Sequence, residues 1–351
     1  MNKIFSVLLI VYFLCYCSSN NDIIKYSAPN FKNELEINSE ILNEDFIFDI
    51  GRISLMDTFL ICSGKTNINN NSFHIFSKHS GIYITSFGNI GQGPGEISSA
   101  ITEFNVDTKN KIVYAYDLRQ YKLVSFSINK VLNNNSYSKD LILPHQISDI
   151  NSSHILYLNN NEFLIGYSRL NRFVKTSTND TIASINIYPI LSEPDGFEKV
   201  EKSYFSYLGS MAAKPDGGKF VHATRSGCIM EIFDCSDRKI HILNTKGFFK
   251  PIYESKYRNE NFPYVAKSSD AVNGIENISC TDKYIYANYN GNIGDNAFNQ
   301  IAVFDWYGNP IKLLSFKDKV ISTVFEENNR VGYALVWDCE DDVNLVRFDI
   351  Y

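Results

Sequence analysis

Polar and apolar residues alternate along most of this chain in short runs, and turn-forming clusters interrupt them every few residues. Representative runs are Phe73-His74-Ile75-Phe76, Ile82-Tyr83-Ile84-Thr85-Ser86-Phe87 and Ile112-Val113-Tyr114-Ala115-Tyr116-Asp117. A period of two with β-branched and aromatic residues predicts strands. After the first residues no long segment keeps an apolar i, i+3, i+4, i+7 spacing, so helices are expected to be few and short. One form recurs: an apolar run, an aromatic, an Asp, a tight turn and a second apolar run. It stands at Tyr116-Asp117 before Lys122–Ile128, at Phe233-Asp234 before Lys239–Leu243, and at Phe304-Asp305 before Ile311–Phe316. In each case the Asp carboxylate is expected to accept backbone N–H bonds of the turn. A calcium role for these Asp residues is the weaker alternative, because they lack the dense spacing of a calcium loop.

The sharpest punctuation is Gly88-Asn89-Ile90-Gly91-Gln92-Gly93-Pro94-Gly95-Glu96. Neither helix nor strand interiors tolerate that density of Gly and Pro, so it predicts an ordered connection between one antiparallel unit and the next. Pro215-Asp216-Gly217-Gly218 marks another turn, between Met211-Ala212-Ala213 and Phe220-Val221. Weaker strands precede several hairpins, at Glu162–Tyr167, Lys219–Thr224 and Tyr284–Tyr289. Four-stranded units of this size fill the chain about six times over, which predicts an all-β, six-bladed β-propeller over residues 41–351. A strand at Phe46-Ile47-Phe48, or just before it, is expected to pair with the C-terminal strands and close the ring, removing exposed edges. Two β-sandwich domains would explain the short strands but not the repeated hairpin.

The chain opens with Met1-Asn2-Lys3, then Ile4–Phe13, in which Ser6 is the one polar residue. That apolar core is shorter than the roughly 20 residues of a membrane span and suits a signal peptide over residues 1–16. Leu14-Cys15-Tyr16-Cys17 and the polar Ser18–Asp22 follow. This looks like a bacterial lipoprotein signal, which implies that Cys17 is acylated and becomes the mature N-terminus. Residues 17–40 then read as a tether and lead-in segment. Plain secretion and an uncleaved anchor are the alternatives.

The chain has 351 residues, a formal net charge of -6, 22 Tyr and 25 Phe. The acidic balance and the absence of a Lys/Arg block argue against nucleic acid as a partner. Beyond the signal, Cys62, Cys228, Cys235, Cys280 and Cys339 are odd in number and irregular in spacing, so they form no disulfide framework and no zinc motif. Most are expected to be buried as small apolar side chains.

The run Phe87-Gly88 through Gly91-Gln92-Gly93-Pro94-Gly95-Glu96 resembles the Gly-x-Gly-Pro-Gly-Glu signature of TolB-like six-bladed propeller lipoproteins of Bacteroidota. Tyr284-Ile285-Tyr286-Ala287 followed by Val303-Phe304-Asp305-Trp306-Tyr307-Gly308-Asn309-Pro310 is similar to a second segment of that family, and the lipoprotein-like start agrees with both. The resemblance implies a propeller in the periplasm or on the envelope surface, held at the outer membrane by its lipid. It implies no catalytic set.

Gly91, Gly93, Pro94, Gly95 and Glu96 form the candidate loop, structural or ligand-binding. No Lys-Ser/Thr follows the glycines and no helix follows them, so a phosphate cradle is disfavoured. Glu96 is expected to accept N–H bonds from the loop itself; the other reading aims it into the central channel. The histidines at 74, 79, 145, 154, 222 and 241 have no metal-ligand spacing, although ligands from distant blades could still converge. No Gly-x-Ser-x-Gly elbow is present. Tyr204–Tyr207 and Phe248–Tyr253 are the richest aromatic segments, expected to pack on the blades, with sugar stacking or a partner contact as the alternative. No cofactor is expected. The reading is a non-enzymatic envelope lipoprotein that binds a protein or glycan. The alternatives are a hydrolase or lyase with a metal in the channel, and a scaffold in an outer-membrane assembly.

Overall fold

The computed structural model describes residues 24–44, 51–64, 70–98, 101–117, 119–120, 122–133, 138–141, 154–166, 171–188, 207–257, 263–294, 298–338 and 342–350. Two short strands come first, β1 (Glu34–Glu36) and β2 (Ser39–Asn43). Blade 1 is β3 (Ile53–Met56), β4 (Phe59–Ser63), β5 (Asn71–Ser77) and β6 (Tyr83–Asn89). Blade 2 is β7 (Ile101–Asp107), β8 (Ile112–Asp117), β9 (Lys122–Ser127) and β10 (Ser138–Leu141), with the short helix α1 (Ile128–Leu132) before its last strand. Blade 3 is β11 (His154–Asn159), β12 (Glu162–Gly166), β13 (Phe173–Ser177) and β14 (Thr181–Ile185). Blade 4 is β15 (Gly209–Ala213), β16 (Lys219–Thr224), β17 (Cys228–Asp234) and β18 (His241–Phe249). A separate hairpin, β19 (Tyr253–Tyr257) and β20 (Pro263–Lys267), follows. Blade 5 is β21 (Ile275–Cys280), β22 (Tyr284–Tyr289), β23 (Gln300–Asp305) and β24 (Pro310–Ser315). Blade 6 is β25 (Lys319–Phe325), β26 (Val331–Trp337) and β27 (Val343–Asp349). The chain is thus the all-β, six-bladed propeller its strand pattern predicts.

Each blade is covered on both faces by its neighbours, which is why middle strands read as continuous apolar runs rather than as clean alternation. Leu60-Ile61-Cys62, Ile301-Ala302-Val303-Phe304 and Tyr333-Ala334-Leu335-Val336 are all buried. Aromatic rings fill the spaces between blades. Phe73 stacks on Phe87 at 5.0 Å and meets Phe104 edge-on at 5.3 Å between blades 1 and 2. Phe173 meets Phe220 at 5.2 Å between blades 3 and 4, and Phe248 stacks on Phe304 at 5.4 Å between blades 4 and 5. Cys62, Cys228 and Cys235 are buried as free thiols and Cys280 is half-buried; Cys339 lies outside the described residues.

The repeated aromatic–Asp hairpins occupy different places in their blades. Tyr116-Asp117 joins the second and third strands of blade 2, whereas Phe233-Asp234 and Phe304-Asp305 join the third and fourth strands of blades 4 and 5. The carboxylates nevertheless do the same work. Asp117 Oδ1 accepts from the Arg119 and Gln120 N–H groups at 2.9 and 3.1 Å. Asp234 accepts from Ser236 N–H at 2.9 Å, and Asp305 from Tyr307 and Asn309 N–H at 2.8 and 2.9 Å.

Closure comes from β2, just before the expected Phe46–Phe48 segment, which itself lies outside the described residues. β2 pairs antiparallel with β27 in the register Ser39↔Phe348, Glu40↔Arg347, Ile41↔Val346. The chain before it sews further edges. β1 pairs parallel with β24 on blade 5. Tyr26 bridges Gly247 of β18 on blade 4, where Ser27 N–H donates to Gly247 O at 2.9 Å. One segment therefore straps the outer edges of blades 4, 5 and 6 in turn. Gly247 permits the contact, since a Cβ there would sit 2.3 Å from Ile24 Cγ2. Between the paired stretches Phe31 rests edge-on against Phe304 at 5.8 Å and Tyr289 at 6.2 Å.

A charged cluster is sealed between blades 3 and 4. Arg172 and Glu231 are both fully buried, and the guanidinium donates from Nη1 to Glu231 Oε1 at 2.9 Å and from Nη2 to Oε2. It lies 4.9 Å from the ring centroids of Phe173 and Tyr188 and 5.0 Å from that of Tyr207, a cation held among π faces. Burial by itself would raise the Glu231 carboxyl, but the Arg172 charge and its hydrogen bonds hold it at about 2. His222 is pushed down to about 4 by its burial. The geometry fits a neutral ring: Nε2–H donates to Tyr207 O at 2.9 Å while Nδ1 faces Arg172 Nη2 at 3.2 Å.

Two predictions follow from the strap and this cluster. Phe31→Ala should cost about 2 kcal/mol of unfolding free energy in urea titration, the loss of one largely packed aromatic side chain. The His222 contribution to stability should be complete above pH 6.5 and shrink as the pH falls toward about 4, because the unfolded ring gains a proton that the folded ring refuses. Denaturant titrations across that window should show a steeper loss for the wild type than for His222→Gln.

Candidate functional site

The Gly88–Glu96 loop connects the outer strand of blade 1 to the inner strand of blade 2, and it is bonded to itself and to blade 2. Gly91 N–H donates to Ile97 O at 2.9 Å, and Ile97 N–H to Asn89 O at 3.0 Å. Gly93 N–H donates to Glu96 Oε2 at 2.8 Å while Glu96 N–H returns to Gly93 O at 3.1 Å. Gly95 N–H reaches Asp140 Oδ1 at 3.0 Å. From the β8–β9 hairpin, Gln120 Nε2 donates to Gly91 O at 2.8 Å and Lys122 Nζ to Gly93 O at 3.1 Å. Asp117, beyond its turn role, also takes Ser98 N–H and Ser98 Oγ, each at 2.6 Å. The three glycine N–H groups that could face an anion are directed at internal acceptors, two of which are carboxylates. This latch leaves no phosphate cradle. Pro94 is exposed at its crest. A cleft of about 330 Å³ lies beside it, with Phe87, Phe126 and Val131 as apolar wall and Ser86, Ser138 and Glu96 as polar wall.

Gly91 is required by close approach: a Cβ there would stand 2.0 Å from Glu96 Oε2. Gly91→Ala should cost about 2 kcal/mol in denaturant titration. Adding Glu96→Ala should recover part of that loss, so the double variant should be more stable than the two single losses summed.

The larger cavity, about 880 Å³, lies on the propeller axis. It is bounded by the innermost strands β3, β7, β11, β15, β21 and β25, which stand side by side in a closed ring. At the end where these strands begin, Glu103 is buried. Its Oε1 lies 2.5 Å from His154 Nδ1 and 3.3 Å from Arg52 Nη1, and its Oε2 accepts from Ile155 N–H at 3.2 Å. Along the wall, amides and hydroxyls link neighbouring blades. Asn105 Nδ2 donates to Ile155 O at 2.8 Å, Asn277 Nδ2 to Ser322 Oγ at 3.0 Å, and Ile53 N–H to Ser322 Oγ at 3.2 Å.

The mouth where the strands end carries the charges. Asp57, Lys78, Asp107, Lys214, Asp282, Glu326 and Glu327 stand around it with Asn159 and Asn328. Lys78 pairs with Glu326 at 2.8 Å, Lys214 with Asp282 at 3.5 Å, and Tyr157 OH donates to Asp107 Oδ2 at 2.7 Å. Glu327 behaves differently: burial, and secondarily the nearby Asp282 charge, push its carboxyl above its ordinary value, while Asp282 N–H donates to it at 3.2 Å. Asp107, by contrast, stays below its ordinary value: burial opposes this, but the hydrogen bonds from Tyr157 and Asn110 override it. The mouth therefore offers carboxylate, amide, hydroxyl and ammonium groups together. Among the described residues no three His, Cys, Asp or Glu side chains gather in a metal-holding group.

The other sequence candidates separate. Cys17 and His145 lie outside the described residues. His74 faces Gly64 O at 3.2 Å, His154 joins Glu103 on the axis, and His222 belongs to the blade 3–blade 4 cluster. Of Tyr204–Tyr207 the described Tyr207 is buried on Arg172. Phe248 is core and Ile252 is exposed. The axial set of Arg52, Glu103 and His154 was not legible as a motif, because its members come from three different blades. The signal that could find them is phase: Glu103 and His154 both stand near the start of an inner strand.

Comparison with known proteins places this geometry. The TolB-like 6-blade propeller-like family profile matches residues 30–328. No curated protein matches the chain. Among solved structures, a protein of Bacteroides fragilis NCTC 9343 described as exported superposes with a TM-score of 0.56 at 16% identity, over 94% of this chain and 99% of that one. A DUF4221 family member from Bacteroides vulgatus gives 0.53 at 11% identity over 90% and 98% of the two chains. A luciferin-regenerating enzyme gives 0.51 at 10% identity over 90% and 95%. These structural likenesses establish a shared fold. The family match spans most of the sequence, and the chain belongs to the TolB-like six-bladed propeller family.

Proposed function

We propose that the chain is a cell-envelope lipoprotein, tethered through Cys17, whose propeller binds an envelope glycan or protein without catalysing a reaction on it. The signal-like start supports the location, and the similarity to a Bacteroides protein described as exported supports it further. The observation that carries the binding reading is the strand-end mouth of the channel. Asp57, Asp282, Glu327, Asn159 and Asn328 there face an open cavity of about 880 Å³. Side-chain carboxylates and amides of this kind match the paired donor and acceptor character of sugar hydroxyls. Polar groups converging on a concave site fix the orientation of a ligand. A protein partner inserting a polar loop would meet the same groups.

A second reading, a hydrolase or lyase acting in the channel, draws on the Glu103–His154 pair and on the enzyme that shares the fold. A carboxylate orienting an imidazole is a common acid–base arrangement.

Calorimetric titration of the propeller with capsular polysaccharide and with peptidoglycan fragments tests the proposal. Binding should weaken about tenfold, roughly 1.4 kcal/mol, when Asp282→Asn and Glu327→Gln are combined. Binding that ignores this pair moves the ligand away from the mouth. Release of reducing ends during the titration, abolished by His154→Ala, would replace the binding reading with the enzymatic one.

A further inference from the structure

The chain leaves the propeller at its rim. Tyr26 bridges Gly247 in parallel, and Ile24 lies against the same glycine. Because the pairing is parallel, residues upstream of Tyr26 lie toward the beginning of β18, where Ile242 and Leu243 stand 38% and 48% exposed. That end of β18 belongs to the strand-end side of the blade, as does the β23–β24 turn of blade 5. Asn244 Nδ2 donates to Tyr307 O and so joins the two. Tyr307 is 71% exposed. The turn that leads into β18 carries exposed Arg238 and Lys239, and Lys246 of β18 lies beside Gly308 of the β23–β24 turn. The neighbouring Asp237 is also exposed; its carboxylate accepts from Lys239 N–H at 2.7 Å and lies 3.8 Å from His241 Nε2.

This surface has the composition of a bilayer-facing edge. An aromatic and two branched aliphatics can enter the headgroup region, while flanking Arg and Lys reach phosphates with their long stems laid on apolar surface. The length of chain before it fits. Seven residue steps separate Cys17 from Ile24, a reach of at most about 25 Å when fully extended. Leu243 precedes Gly247 by four strand positions, about 13 Å. An acylated Cys17 thus brings the membrane within reach of this rim sector and holds the opposite sector, blade 1, away from it.

Resting on the lipid-anchor reading above, we infer that the rim of blades 4 and 5 at their strand-end side docks on the lipid bilayer, with Ile242, Leu243 and Tyr307 at the headgroup level. The propeller then sits on its edge. The polar mouth of the channel opens from the same side of the blades as the docked rim.

The full chain carrying its native lipid, reconstituted in phosphatidylethanolamine–phosphatidylglycerol vesicles, tests this in two steps. Flotation compares wild type with Cys17→Ala. Quenching by bromine-labelled acyl chains then compares Leu243→Trp and Tyr307→Trp with Ile84→Trp on the outer strand of blade 1, each read as the increment over the unsubstituted chain. Most of the added emission should be lost at 243 and 307 and retained at 84. Flotation of the wild type with no quenching at 243 and 307, or with equal quenching at 84, overturns the docking geometry and leaves the anchor intact. A wild type that does not float removes the anchor and the docking together. Flotation of Cys17→Ala with quenching confined to 243 and 307 removes the anchor and retains the docking.

Discussion

Ring closure is the constraint from which the rest of this molecule follows. Six sheets arranged about an axis are stable only if the first and last are held together, and an unpaired blade edge is a template for aggregation. Here the bond is made by backbone, with Ser39, Glu40 and Ile41 laid against Phe348, Arg347 and Val346. The preceding residues extend the same solution over blades 5 and 4. Because the strap is amino-terminal, ring closure during folding waits for the last strand, β27, to pair with chain made at the start. The strap also gains side-chain packing, since Phe31 meets blade 5 aromatics and Ile37 joins the buried cluster between blades 5 and 6.

Once the ring is closed, each blade loses both faces to its neighbours. Charges are then excluded from the interior unless they are fully paired, since burying half of an ion pair costs several kcal/mol. The one fully buried ion pair among the described residues, Arg172 with Glu231, meets that condition by two hydrogen bonds, a neutral histidine and a cage of rings. Many of the other polar side chains lie on the axis or at the ends of the blades. The innermost strands face a cavity rather than another sheet, and so Asn105, Asn277 and Ser322 are tolerated there, cross-linking blades through amide and hydroxyl bonds. The polar character of the candidate site is thus a consequence of the architecture before it is an adaptation to a ligand.

How much of this was legible in the sequence depended on range. The strand pattern, the Asp turns and the inter-blade loop are local, and their residues are contiguous. Gly91 through Glu96 could be read as an ordered connection because the bonds within it span only a few residues. The hairpin repeat pointed to the fold, yet it marks strands two and three in one blade and three and four in others. An apolar run followed by Asp identifies a buried strand end, whichever strand it is. The strap was less legible, because Glu34–Glu36 and Ser39–Asn43 carry an exposed, polar face and pair mainly through backbone. The Arg52–Glu103–His154 group draws on positions separated by whole blades, and no local spacing announces it.

The strap also joins closure to location. Its pairing with Gly247 fixes where the chain departs from the ring, so whatever lies upstream of Ile24 acts on one sector of the rim. The same parallel register that completes the blade 4 edge sets Ile24 and Lys25 on the side of Gly247 toward the start of β18, where Leu243 stands. A tether that left from the axis would leave all six rim sectors equivalent. A tether that leaves from blade 4 makes them unequal, and the exposed aliphatics with their flanking Lys and Arg fall on the sector so selected. In the docking proposed above, the backbone pairing that makes the propeller stable also sets which of its surfaces face the membrane and which face solvent.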